Sequence, residues 1–341
     1  MSLPGVANYY FSEHNTLKKR PLNILLWVFA AGILYLCLQS IDLDRAWIEF
    51  SRANPFWLFW AVFFNACILL VWTSLWHLLL PEKISVPFSR IFQANSYMST
   101  SCNTIPFPGG HAVGVIALAR RAKVGHSVAL SVLALDQLME GFAKIFVLTL
   151  VAIFVPLPEL MGQGILVFVV AIGIFAAIMF YFAHKQPSHF EEKDAANFTG
   201  KIRKFVSRWS VHLEILRDVR TFSFGLLLAF LMMFAQTLGI WAVQQSLGFD
   251  LPLWAPILVM GALNLATVLP ITPGNFGIYE GTAFLVYQFY GLSSESALSL
   301  AFLQHLCFLI PMVGTGYLVL LFLNSAQKQS LSDEKWVPDE T

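Results

Sequence analysis

Asp136, Glu140 and Lys144 recur every four residues within a long apolar stretch, so a helix there carries all three on one face. Counted from Ser127 at about 1.5 Å per residue, Asp136 falls about 14 Å deep, close to a bilayer midplane. An ionised side chain at that depth costs at least about 2.5–3.5 kcal/mol on insertion scales, so such residues pair with one another or mark transport and proton pathways. The plainer role is a Glu140–Lys144 ion pair, favourably ordered at i,i+4, that only stabilises a bundle. A lone pair has no need of Asp136, so the three together are candidate substrate-binding or proton-carrying groups.

A second set of candidates surrounds two Pro-Gly breaks in apolar sequence. One is Pro106-Phe107-Pro108-Gly109-Gly110, followed by His111; the other is Pro270-Ile271-Thr272-Pro273-Gly274, followed by Asn275 and Gly277. Gly109, Gly110, Gly274 and Gly277 allow a headgroup close to the backbone, or serve only as steric devices in a tight turn. Glu280 stands in the first turn of the helix that restarts after the second break. There a carboxylate either caps free amides and complements the helix dipole, or acts on substrate or protons. Without it the same amides could receive a phosphate. His111 and His305 are packing residues or groups that pair with phosphate and move protons near neutral pH. Asn65, Asn264, Gln236 and Gln288 are expected to form hydrogen bonds between helices.

The elements that must hold these groups are transmembrane helices. Of 341 residues, 57% are hydrophobic and 12% charged, and the mean hydropathy is +0.68; a soluble domain carries roughly 25% charged residues. This composition excludes a soluble or nucleic-acid-binding role. Residues 1–21 form a cytoplasmic segment, and the apolar run after Lys18, Lys19 and Arg20 is too long for a signal-peptide core and is read as a retained first helix. Cys37, Cys67, Cys102 and Cys307 sit in apolar segments without metal-ligand spacing and are read as packing residues.

Full spans are expected near 22–40, 55–80, 127–155, 164–184, 222–246 and 297–323. The two broken segments, 91–119 and 254–290, are then re-entrant hairpins. With this assignment, 18 of the 21 Lys and Arg lie on one side, eight of them in loop 185–221; Arg45 and Arg52 lie opposite and Lys144 within a span. The positive-inside rule makes that side cytoplasmic and both termini cytoplasmic. Residues 93–104 are too polar to face lipid and must line protein or water. Residues 201–220 carry apolar side chains at helical spacing, which suits an interfacial helix on anionic lipid, or a connector packed on the protein's own loops.

The halves resemble each other in order. Ile105-Pro106…Pro108-Gly109-Gly110 parallels Leu269-Pro270…Pro273-Gly274-Asn275, Gly114 parallels Gly277, and Ala129-Leu130-Ser131 parallels Ala297-Leu298-Ser299. The expected architecture is all-α and polytopic, with six full helices and two oppositely inserted hairpins in an inverted repeat. The first repeat is 22–155, the second 156–323, and 324–341 form a cytoplasmic tail. A matched pair of Gly/Pro-interrupted segments, one per half, points to a transporter-like site.

The segment Thr267–Gly281, containing Pro273-Gly274-Asn275-Phe276-Gly277-Ile278-Tyr279-Glu280, resembles the Pro-Gly-Gly-x-Gly-x-x-Glu stretch of the flippase-like membrane domain of lysylphosphatidylglycerol synthases and their stand-alone YbhN-like relatives. The stretches Asn103…Pro106…Gly110, Ala129-Leu130…Leu135-Asp136 and Gly291…Ala297-Leu298…Pro311 are similar to its other blocks. The chain departs from the family where Gly110-His111-Ala112-Val113-Gly114 replaces Gly-Glu-x-x-Arg, Asp136-Gln137 replaces Glu-Arg, and His305 replaces Arg. Nothing after residue 325 resembles the lysyl-transfer domain, so the resemblance implies the lipid-handling half of such a protein, in a bacterial inner membrane.

The function expected is a lipid flippase or transporter that binds an anionic headgroup, a phosphatidylglycerol derivative or a polyprenyl-phosphate-linked lipid, in a midplane cavity. Protons would be its coupling ion, since no ATP-binding motif is present. The alternatives are an integral-membrane enzyme acting on a lipid headgroup, or a partner subunit of a membrane glycosyltransferase or other lipid-modifying enzyme. No HExxH, GxSxG, Walker A or Cys/His metal spacing occurs, so no catalytic activity, cofactor or metal is expected.

Overall fold

The computed structural model describes residues 44, 48, 50–81, 85–105, 108–155, 159–184, 213–268 and 272–333, with backbone alone at 159, 160, 184, 214, 215 and 323–333. The expected span 22–40 and most of loop 185–221 lie outside these residues, as do Pro106, Phe107, Leu269, Pro270 and Ile271 of the two breaks. The described residues form no strand. They contain nine α-helices: α1 (Pro55–Leu79), α2 (Phe88–Cys102), α3 (Gly109–Ala122), α4 (His126–Phe154), α5 (Glu159–His184), α6 (Val219–Ser246), α7 (Trp254–Ala266), α8 (Ile278–Phe289) and α9 (Ser294–Asp333). Helices α1, α4, α5, α6 and α9 contain stretches long and apolar enough to cross a membrane. Their outward faces carry Phe59, Leu70, Ile153, Val167, Ile174, Leu227, Phe234, Ile310 and Leu321, each more than two-fifths exposed. So much outward apolar surface suits lipid and would be an association hazard in water.

Local chemistry sets where the spans begin. Asn54 accepts a hydrogen bond from the Phe56 amide, and Pro55 occupies the first turn of α1, where a missing N–H costs nothing. Asp218 caps α6 by accepting from the Arg220 and Thr221 amides. Of the expected interfacial helix at 201–220, the described part, 213–220, is a 3₁₀ turn, Leu213–Arg217, followed by this cap and the start of α6. Leu213 and Leu216 within it are buried against the bundle. Helix α9 continues through Asp333, into the stretch expected as a tail.

The two broken segments are helix pairs. Their arms, α2 with α3 and α7 with α8, run 15, 14, 13 and 12 residues. At 1.5 Å per residue they reach about 18–22 Å, short of the roughly 30 Å of hydrocarbon. Both first arms end in the same way, with Asn and Thr side chains donating to carbonyls one turn earlier. Asn103 Nδ2 donates to Ser99 O at 2.8 Å and Thr104 Oγ1 to Thr100 O at 2.8 Å. In the other arm, Asn264 Nδ2 donates to Met260 O at 2.9 Å and Thr267 Oγ1 to Leu263 O at 2.8 Å.

The breaks meet in the centre of the molecule. A Cβ added to Gly274, whose φ is +63°, would stand 3.2 Å from the Asn103 carbonyl. The polar face of α2 is covered by protein. Asn95, Ser96, Ser99 and Thr100 are buried, and Ser99 and Thr100 donate to the Met312 and Val313 carbonyls of α9 at 2.9 and 3.0 Å. Gly316 of α9 lies against Thr100 and the Ser96 carbonyl, so the two helices approach closely.

Within the first hairpin, a Cβ on Gly110 would lie 2.5 Å from Cys102 Cα, whereas a Cβ on Gly173 of α5 would meet nothing within 4 Å. Gly110→Ala should therefore spread α2 from α3 and destabilise the detergent-solubilised protein by about 1–3 kcal/mol, the usual cost of overpacking. Gly173→Ala should keep wild-type stability or gain up to about 1 kcal/mol. Thermal denaturation followed by tryptophan fluorescence compares the two; coincident melting curves would refute the close packing of the first hairpin.

Candidate functional site

A cavity of ≈ 240 Å³ opens where the two breaks converge. Asn103 from the first break and Thr267, Val268 and Asn275 from the second line it, together with His111 of α3. Gln137, Glu140 and Lys144 of α4 form one wall, Trp72 of α1 and Gln236 of α6 stand on others, and Met233, Phe308 and Met312 supply apolar surface. Polar groups thus converge inside a bundle whose exterior is apolar.

Lys144 Nζ lies 2.8 Å from Glu140 Oε2, with each side chain 20% exposed. Asp136 is elsewhere. It is fully buried behind the cavity wall, its Oδ1 accepting from Trp72 Nε1 at 3.0 Å and its Oδ2 from Gln137 Nε2 at 3.4 Å. The Trp76 indole faces the same carboxylate but lies outside hydrogen-bond geometry. Eight residues of helix turn through about 80° beyond two full turns, which separates Asp136 from Lys144 despite the shared i,i+4 rhythm. The trio therefore divides into a pair in the cavity and a buried carboxylate beside it.

Glu280 and His305 form a second buried pair. His305 Nδ1 is 2.6 Å from Glu280 Oε1, both residues are almost wholly buried, and the imidazole stacks on Tyr279 with centroids 4.1 Å apart. Glu280 Oε2 accepts from the Gly277 amide at 2.7 Å, so the carboxylate caps α8. Neither residue lines the cavity. Beside them, Tyr287 donates to Gln304 Oε1 at 2.6 Å and Gln304 donates to the Tyr279 hydroxyl at 2.9 Å.

Of the residues singled out in the sequence, His111, Glu140, Lys144 and Asn275 line the cavity, and His111 Nδ1 is 3.8 Å from Cys102 Sγ. Gly109, Gly110, Pro273, Gly274 and Gly277 shape the turns around it. Asn264 and Gln236 are bonded across α7 and α6 at 3.0 Å. Asn65 instead bonds its own helix at Ala61 O while packing on Gly239, and Gln288 bonds Ser294 Oγ at the α8–α9 turn. Trp72, Gln137 and Tyr279 are not among the candidates that the sequence offers. Trp72 and Trp76 share a face of α1, a visible i,i+4 signal, but their partner Asp136 is 64 residues away from Trp72.

These features define an α-helical integral membrane protein with two broken helical segments meeting at a polar internal cavity. The chain belongs to the lysylphosphatidylglycerol synthase TM region family, whose model matches residues 23–316. It is also similar to a UPF0104 membrane protein of Methanothermobacter thermautotrophicus, with 19% identity over 340 residues that cover 93% of this chain and 99% of that protein.

Removing one partner of a buried hydrogen bond leaves the other unsatisfied, at about 1–3 kcal/mol. Glu280→Ala and His305→Ala should each lose about that much stability in mixed-micelle denaturation. Glu280→Gln combined with His305→Phe should recover part of the loss. Single variants as stable as wild type would show that the pair does not hold α8 against α9.

Proposed function

We propose that this protein is a lipid flippase or transporter of the plasma membrane that binds an anionic lipid headgroup in the central cavity. The carrying observation is the cavity itself, lined by the Glu140–Lys144 pair and several carboxamides inside an apolar bundle. Its ≈ 240 Å³ is just below the roughly 300–1,000 Å³ of pockets that enclose drug-sized molecules, so it fits a headgroup and leaves acyl chains in lipid. The two helix pairs act as oppositely inserted re-entrant hairpins, each too short to cross. The repeats 22–155 and 156–323 rock against one another and open the cavity to either side in turn. Both termini and loop 185–221 are cytoplasmic, as the positive-inside rule favours.

Lys144 supplies the compensating charge for a phosphate, as the P-loop lysine does as a point charge. Glu140 competes for the same ammonium at 2.8 Å. Headgroup binding therefore draws Lys144 away from Glu140, and release lets the pair re-form. Asp136 takes part by holding Trp72 and Gln137 against the cavity wall.

The test is transbilayer movement of fluorescent phosphatidylglycerol and of a polyprenyl-phosphate analogue in proteoliposomes. Wild-type protein should exceed empty liposomes at least tenfold in rate for one of them. Lys144→Met should lose most of that activity at unchanged folded yield. Equal rates in protein-containing and empty vesicles would sink the transport reading, and a headgroup product formed in detergent would replace it with an enzyme.

A further inference from the structure

The cavity's hydrogen-bonding groups are unevenly spent. Asn103 Nδ2 is committed to Ser99 O, and Asn264 Nδ2 to Met260 O and Gln236 Oε1. Backbone carbonyls only accept, so these contacts fix which end of each carboxamide is nitrogen. Gln137 Nε2 likewise points to the Asp136 carboxylate. Lys144 donates to Glu140, and the Thr267 hydroxyl donates to Leu263 O. The oxygens of Asn103, Gln137 and Asn264 accept no hydrogen bond from the described residues, and none of the three is sealed from the cavity they line. The lining thus holds unspent acceptors on Asn103, Gln137 and Asn264 beside unspent amide donors on Gln236 and Asn275.

A phosphate dianion only accepts, so it pairs with the amide nitrogens and leaves the three oxygens unmatched. An ammonium only donates, so it pairs with the oxygens and leaves the amide nitrogens of Gln236 and Asn275 unmatched. Hydroxyl groups both donate and accept, and so satisfy both sets.

We propose that the part of the lipid entering the cavity is a polyhydroxylated headgroup, a sugar or polyol, whose hydroxyls donate to the carboxamide oxygens of Asn103, Gln137 and Asn264. This rests on the lipid-binding reading above and narrows its cargo. The hydroxyl-bearing portion occupies the amide wall, and any phosphate it carries reaches Lys144. Specificity comes from the penalty of leaving buried acceptors unpaired, which rejects a ligand lacking the hydroxyls more strongly than added apolar contact can compensate.

The experiment is native mass spectrometry of the detergent-solubilised full chain titrated with four lipids of matched acyl chains, against phosphatidylcholine as background. These are a glycosyl diacylglycerol, phosphatidylglycerol, phosphatidic acid and phosphatidylethanolamine. Retention of the glycosyl lipid, of phosphatidylglycerol, or of both should exceed that of phosphatidic acid and phosphatidylethanolamine at least tenfold. Preference between the first two identifies the source of the hydroxyls as sugar or glycerol. Asn103→Leu and Asn264→Leu should each bring the four lipids within about threefold of one another, while Gln288→Leu, outside the cavity, should leave the preference intact. The wild-type comparison stands even where a leucine variant fails to fold. Phosphatidic acid retained as well as phosphatidylglycerol, with the glycosyl lipid at background, would overturn the hydroxyl assignment and leave lipid binding in place. Preferential retention of phosphatidylethanolamine would overturn it in favour of an ammonium. No lipid above background would overturn both.

Discussion

Everything in this fold follows from a broken backbone that has to find its hydrogen bonds inside the protein. Hydrocarbon offers none, so irregular chain at membrane depth survives only against protein or water. Here both breaks end their first arms with Asn and Thr side chains folded back on carbonyls one turn earlier. Each then turns toward the other, close enough that Gly274 packs on the Asn103 carbonyl. The left-handed conformations of Gly274 and Asn275, at φ +63° and +56°, allow the second turn to be that tight. The cavity is the space left where two such turns meet without merging.

The restart of α8 shows the same constraint from its other end. A helix N-terminus leaves amides open, and Glu280 closes one of them while His305 of α9 holds the carboxylate in place. Glu280 thus caps α8, one of the two roles that the sequence leaves open. The second helix pair contributes neutral groups, Thr267 and Asn275, to the cavity, whereas α3 and α4 contribute the ionisable ones, His111, Glu140 and Lys144.

Much of this arrangement can be read directly from the residues, and the division between what can and cannot is physical. Spans such as 55–80 and 222–246 match α1 and α6 within a few residues, because long apolar runs bounded by Asn-Pro or Asp caps leave little choice. Both breaks announce themselves through Pro and Gly, and Glu140–Lys144 is a local pair at i,i+4. The polarity of 93–104 requires a covering, but its partners on α9 lie 213 residues away, beyond any local pattern. Asp136 is misassigned by rhythm alone, since the i,i+4 repeat drifts around the helix and tertiary contact with Trp72 decides where the carboxylate ends. His305 and Glu280, 25 residues apart, are joined only once α8 folds back on α9.

In the topology proposed above, each broken segment returns to the face it starts from, and the two segments start from opposite faces. Single cysteines in a background free of the native four report this directly, with Ser89 and Gly125 at the ends of the first hairpin and Asp250 and Ser293 at the ends of the second, all exposed. In sealed right-side-out vesicles, a membrane-impermeant maleimide should label Asp250→Cys and Ser293→Cys at once. It should reach Ser89→Cys and Gly125→Cys only after permeabilisation. Ser89→Cys and Gly125→Cys labelled from opposite sides would make the first segment a single crossing, and all four labelled from one side would remove the inverted repeat.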